Sequence, residues 1–338
     1  MAYWVVLFIL FISTLARNNY LIALVLVALF VMAGFIAPEV SHDFQNYYNG
    51  YYLAQPRYFP EPISSLIFSG AQHFSLPIAV SFIILAFLAT VLKIKALRRL
   101  SLPVSLFFLV YFGKLFLLLD LTQVRAAVAV SVCLLSFDAY IKNKKVMAFI
   151  YIILAFFFHL SSIMFIVIFF VNRKKPNATF WLVALLCGLG FSFINIKYYL
   201  YISMIYLHLP LNYLTYIDNA NNSTVNPLNV LAVLNVAIFV TYCFFKKAFI
   251  DSKMNVAFKL YGISIISFYV FIDFPVLSFR ISEFFLIYQV VLLANTIKFV
   301  RSDQRWIYSS VLFVFSALQL YLTYNKAAII EPYRLLSF

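Results

Sequence analysis

Hydrophobic positions in this chain run on in long blocks interrupted by short polar joints. They do not alternate with polar positions at the period of a surface helix or strand. The blocks lie near residues 2–16, 21–36, 76–93, 102–119, 124–140, 177–196, 228–245, 255–272, 281–297 and 306–323. Such blocks predict helices that cross a bilayer, because hydrocarbon offers backbone N–H and C=O groups no partner except one another. A further apolar stretch, 146–171, has basic residues at both ends. Both ends then belong on one side of the membrane, yet at about 1.5 Å per residue the stretch is short for two full crossings. It is predicted as a broken or re-entrant helical hairpin with His159 near its tip. The whole chain, residues 1–338, reads as a single all-α integral membrane domain with external loops near 37–75 and 197–227. Counting the hairpin, the polytopic bundle has roughly 10–12 helices. The first block carries no basic segment before it and no small-residue cleavage site, so it is expected to stay as the first span.

Composition supports that class: 65% of the residues are hydrophobic and only 11% charged, which excludes an ordinary soluble domain. A formal charge of +14 would fit nucleic acid if it were gathered on one surface. Instead the lysines and arginines sit in short clusters between apolar blocks, where membrane orientation places them, and nucleic acid is not an expected partner. Alternate joints hold Arg17; Lys93, Lys95, Arg98 and Arg99; Lys142, Lys144 and Lys145; Arg173, Lys174 and Lys175; Lys246, Lys247 and Lys253; and Lys298, Arg301 and Arg305. These joints are expected on the cytoplasmic side. The acids show the opposite bias, with Glu39, Asp43, Glu61, Asp120, Asp218, Asp273, Glu283 and Glu331 falling on the external side of that topology. Cys133, Cys187 and Cys243 lie inside apolar blocks without metal-like spacing, which argues against a disulfide framework or a zinc site. The glycine-rich and nucleophile motifs of nucleotide-driven or serine-hydrolase chemistry are missing.

Polar residues beside apolar blocks are the candidates for chemistry. Arg125 and Arg280 each border a long block on the side away from the basic joints, where an arginine near hydrocarbon needs a partner or a task. Arg125 follows Asp120-Leu-Thr-Gln-Val and precedes Ala126, Ala127 and Ala129, so it opens a helix able to pack closely. It could snorkel or pair with Asp120, and Arg280 could pair with Glu283 three residues on. Two arginines at helix starts would also form an anion clamp, since guanidinium bonds phosphate oxygens in bidentate fashion. Asp43, Tyr47 and Tyr51 would share one face of a helix, and with Arg57 beyond them they could bind sugar, or they could form an interfacial aromatic belt. Glu61 stands between Pro60 and Pro62, as either a helix N-terminal acid or a site carboxylate. His159, in Phe-His-Leu-Ser-Ser, is open to a structural or an acid–base role.

Taken in order, these features resemble the EpsG family of exopolysaccharide polymerases, the Wzy-like enzymes of bacterial envelopes. The resemblance rests on an Asp-x-x-x-Tyr segment (Asp43, Tyr47), Glu61-Pro62, an Arg-Ala-Ala helix start (Arg125 to Ala127) and a Phe-His-x-Ser tip (Phe158, His159, Ser161). A late Arg280 before Phe284 and Phe285, and the ending Pro332-Tyr333-Arg334, complete it along nearly the whole chain. The chain departs from the family's usual pattern in lacking an Arg and a Gly shortly before Asp43.

The resemblance implies a membrane fold like that of GT-C-type glycosyltransferases, in the bacterial cytoplasmic (inner) membrane with its site facing the periplasm or exterior. It implies transfer of a growing glycan from undecaprenyl pyrophosphate to an incoming lipid-linked repeat unit. Arg125 and Arg280 would then hold the pyrophosphate, Asp43, Glu61 and His159 compete as the base, and Tyr47, Tyr51 and Arg57 contact glycan. No cofactor or metal is expected, because two guanidinium groups can supply the countercharge and no Asp-x-Asp pair is present. A chain-length regulator and a flippase are the expected protein partners. A flippase of lipid-linked oligosaccharide, or a structural subunit of the assembly complex, would need some of the same features.

Overall fold

The computed structural model describes residues 1–16, 18–41, 43–52, 60–199, 202, 225–249, 251–326 and 330–336. The fold is all-α, and each apolar block contains a helix: α1 (Ala2–Ala16), α2 (Asn19–Gly34), α3 (Phe44–Tyr52), α4 (Pro62–His73), α5 (Ile78–Arg99), α6 (Val104–Gly113), α7 (Val124–Ile141), α8 (Lys145–Phe158), α9 (Ala178–Phe191), α10 (Val230–Phe244), α11 (Ser252–Val270), α12 (Pro275–Thr296) and α13 (Arg305–Tyr321). Side-chain caps set several starts. Asn18, Asn177, Asn229 and Asp251 accept from first-turn amides of α2, α9, α10 and α11, satisfying donors that the helix itself cannot.

Four described helices are long and apolar enough to cross a membrane, or five if a bent pair counts as one. The protein is therefore polytopic. An expectation of 10–12 helices in the bundle draws also on the shorter apolar helices of 10–17 residues.

The bent pair corrects the single span expected over 102–119. α6 stops at Gly113, and a π-helical segment, Phe116–Thr122, leaves it at 83°. That bend changes the expected sidedness of two charges. Lys93, assigned to a cytoplasmic joint, and Asp120, assigned to the outside, meet inside the protein. Lys93 Nζ donates to Asp120 Oδ1 and Oδ2 at 2.8 and 2.9 Å and to the Tyr111 hydroxyl at 2.9 Å. Tyr111 in turn donates to Asp120 Oδ2 at 2.5 Å. Lys93 and Asp120 are 1% and 3% exposed, so each charge is stable only with the other.

The chain divides into two compact units, residues 1–170 with 290–338, and residues 171–289. At the centre of the first unit, α7 is buried along nearly its whole length between α5 and α8. Its Ser131 donates to Ala89 O at 3.1 Å and its Ser136 to Ala148 O at 2.8 Å, contacts that its many alanines allow. α1, α6 and α13 pack on one another. There the absence of a side chain at Gly113 matters, because a Cβ would stand 2.8 Å from Ser316 O and 2.9 Å from Ser316 Cα.

The first unit has two polar ends. At one, Lys142 Nζ reaches Arg99 O at 3.3 Å and Lys298 Nζ reaches Ser101 O at 2.9 Å, which gathers three basic joints. At the other, the C-terminal segment pairs with the stretch after α2 through the bridges Ile36–Leu335 and Ser41–Ile330, and Tyr3 of α1 donates to Glu331 O. In the second unit, α9, α10 and α11 pack together over a stacked Phe239–Phe258 pair. Lys259 is held there by Asn172 O, Asn172 Oδ1 and Lys174 O at 2.7–2.9 Å.

Candidate functional site

The stretch 146–171 is broken at His159. α8 ends at Phe158, His159 is extended (φ −156°, ψ 120°), and a 3-10 helix, Leu160–Phe170, follows. A break in an apolar helix leaves backbone groups that hydrocarbon cannot satisfy, each at a cost of several kcal/mol. The start of α4 supplies the partners. Ser64 Oγ donates to Phe158 O at 2.8 Å, and the Glu61 carboxylate accepts from Leu160 N at 3.4 Å. Pro62 at the first position of α4, with Glu61 as its N-cap residue, fixes where that carboxylate stands.

Glu61 does more than hold the break. Its Oε1 lies 3.3 Å from His159 Nδ1 and its Oε2 accepts from Arg125 Nη1. Arg125 is the second residue of α7, so three segments far apart in sequence deliver an acid, an arginine and a histidine to one point. The cluster is sheltered but reachable, with Glu61 3% exposed and the Arg125 side chain 19%. Burial by itself would raise the Glu61 carboxyl. The His159 and Arg125 contacts outweigh it and hold the group below the ordinary carboxylate range. Arg125 pairs with Glu61, and Asp120, its suggested structural partner, is taken by Lys93.

Tyr47 completes the cluster, with its ring 5.3 Å from the Arg125 guanidinium carbon, a cation–π distance. Burial raises the Tyr47 hydroxyl, and the charge and hydrogen bonds of Arg125 oppose that only in part. The face shared by Tyr47 and Tyr51 is not an open platform for sugar. Both are 5% exposed; Tyr47 stacks on Phe68 and meets Phe82 edge-on, and the Tyr51 hydroxyl donates to Leu76 O. The amphipathic pattern of α3 turns this face inward and leaves Tyr48 and Tyr52 outward, their rings 4.4 Å apart. Asp43 precedes α3, and its carbonyl accepts from Asn46 N and Tyr47 N.

The structure joins Glu61, Arg125, His159 and Tyr47. Arg280 is not at a helix start: it is exposed in the second turn of α12, within the second unit. Arg57 and most of 197–227 lie outside the described residues. Ser64, Tyr48, Tyr52 and the Lys93–Asp120–Tyr111 cluster escaped the sequence reading. Lys93 is the first of the four basic residues that follow its apolar block and so the one nearest the block, which was the available signal.

The chain is an all-α polytopic membrane protein with an acid–arginine–histidine cluster at one end of its first unit. More narrowly, the EpsG family model matches residues 19–335, and the chain belongs to the EpsG family. Membership supports a polysaccharide-polymerase role in general terms. No curated protein and no solved structure matches the chain.

Proposed function

We propose that this protein is a glycan polymerase of the bacterial inner membrane. It transfers a growing polysaccharide from undecaprenyl pyrophosphate to an incoming lipid-linked repeat unit on the external face. One observation carries the reading: the Glu61 carboxylate ties Arg125 to His159 at the end of the first unit away from the basic joints.

The contacts of the three candidate bases support different roles for them. Glu61 is committed to Arg125, His159 and Leu160, and those contacts make its carboxylate a weaker base than an ordinary one. It acts as the positioning residue. With Nδ1 of His159 turned to Glu61, Nε2 is the nitrogen presented to substrate, and it takes the proton of the acceptor hydroxyl. The acceptor oxygen then bonds to the anomeric carbon of the growing chain as the bond from that carbon to the pyrophosphate oxygen breaks. The leaving pyrophosphate keeps the electron pair. Arg125 stabilises that charge, since a guanidinium carries a permanent positive charge and a donor fork that matches phosphate oxygens. Arg280, in the second unit, is proposed separately as a phosphate-binding residue, and Tyr48 and Tyr52 replace Tyr47 and Tyr51 as the aromatic faces offered to glycan. Asp43 is assigned to holding α3.

The test is polymerisation in lipid, with purified protein, the native undecaprenyl-pyrophosphate repeat unit and no other enzyme. Wild type is expected to give a ladder of lengths without added divalent ions and in the presence of chelator. Arg125→Ala and His159→Ala are expected to lose it, and Arg125→Lys to remain defective because lysine cannot reproduce the forked contact. A folded protein that makes no ladder but moves the repeat unit across the bilayer is a flippase. Normal ladders from all three variants would leave a polymerase that does not use this cluster, and folded wild type that neither makes a ladder nor moves the repeat unit would leave a structural subunit.

A further inference from the structure

The basic end of the first unit holds a cleft of about 390 Å³, lined by Thr14 and Leu15 of α1, Pro103, Ser105 and Leu106 at the start of α6, Ile297 and Ser302 before α13, and Arg305, Trp306 and Ser309 in its first turns. α6 and α13 both begin at this cleft. Their first-turn amides carry the positive ends of two helix dipoles into the same space. Arg305 adds a full charge, and its Nε contact to Val300 O at 3.4 Å anchors the side chain from one side only. Lys298 lies close by at the same end, and the neighbouring acid, Asp303, is engaged by Arg301 at 3.5 Å outside the cleft. Trp306 lines the cleft and is 62% exposed, and an exposed tryptophan beside an arginine between apolar helices fits headgroup depth. Apolar side chains of α1 and α13, among them Phe8, Ile12, Val311 and Val314, stay exposed beyond it, where an acyl chain would run.

We infer that this cleft binds the phosphate of one acidic phospholipid, with Arg305, Ser302 and Ser105 around the head group and the acyl chains along α1 and α13. The site is independent of the polymerase reading, since it lies at the opposite end of the first unit from Glu61.

The test uses the full chain with Trp4→Phe and Trp181→Phe, so that Trp306 is the remaining tryptophan, reconstituted in vesicles of phosphatidylcholine. Brominated phosphatidylglycerol is expected to quench Trp306 at about fivefold lower mole fraction than brominated phosphatidylcholine, the weight of one arginine near a membrane surface. Arg305→Gln should remove the preference. Ser105→Phe, which fills the cleft and leaves the charge, should remove it as well. Equal quenching by the two lipids, or a preference that survives both variants, overturns the inference. Inorganic phosphate should leave the preference intact; if it abolishes it, the cleft takes free phosphate and the lipid occupant is wrong.

Discussion

Glu61 shows how much one buried carboxylate can organise. It satisfies the amide at a helix break, fixes an arginine and turns a histidine, all from the N-cap of α4. Its depressed pKa has a stability consequence with a definite sign. A group held below its unfolded value contributes stability at pH values above that value and loses it as pH falls through the folded one. Thermal stability in detergent is therefore expected to fall in acid, below the ordinary carboxylate value of 4.5, more steeply for wild type than for Glu61→Gln. Parallel acid profiles would show that Glu61 is not held as described. Glu61→Ala is expected to cost about 3 kcal/mol, the low end for breaking a buried pair, because Arg125 keeps some access to water. The polar residues of this cluster were readable in sequence because His159 interrupts an apolar run and Glu61 and Arg125 each border one. Their partners were not, since adjacency along the chain favours Asp120 for Arg125, and only the packing of α4 against α8 brings Glu61 there.

Among the elements, the bend between α6 and the π-helical segment was hidden by composition. Residues 102–119 are apolar apart from a few positions, and Gly113-Lys114 marks where the helix stops without giving the 83° change of direction. The cause is visible only in three dimensions, where Lys93 of α5 draws Asp120 inward. Removing one partner leaves an unpaired buried charge, so Lys93→Met or Asp120→Leu alone is expected to destabilise by about 3–5 kcal/mol, whereas the double variant Lys93→Met/Asp120→Leu should recover most of the loss. A thermal-unfolding double-mutant cycle measures this, and additive losses would refute the coupling. A second contact is purely steric. Gly113→Ala places a methyl group against the Ser316 backbone, an overpacking expected to cost about 1–3 kcal/mol; an unchanged melting temperature would mean that α6 and α13 can separate freely.

At the scale of the molecule, charge orders the two ends of the first unit. Basic joints from α5, α7 and the segment after α12 converge at one end through Lys142 and Lys298, while Glu61, Glu331 and the stretch before α3 share the other. That sorting was legible in the sequence because charges in joints cannot hide in hydrocarbon; among the described residues of the first unit it fails for Lys93 and Asp120, which neutralise each other inside. By the positive-inside rule the basic end is expected on the cytoplasmic side, and the proposed chemistry requires the Glu61 end to face out. Single cysteines can decide it in a background with Cys133, Cys187 and Cys243 replaced. Gln72 and Lys144 are both exposed and lie near opposite ends, at the close of α4 and the start of α8. A membrane-impermeant maleimide applied outside the inner membrane should label Gln72→Cys in intact membranes and reach Lys144→Cys only after permeabilisation. The reverse pattern would turn the Glu61–Arg125–His159 cluster toward the cytoplasm, where polymerisation of an already translocated repeat unit has no substrate.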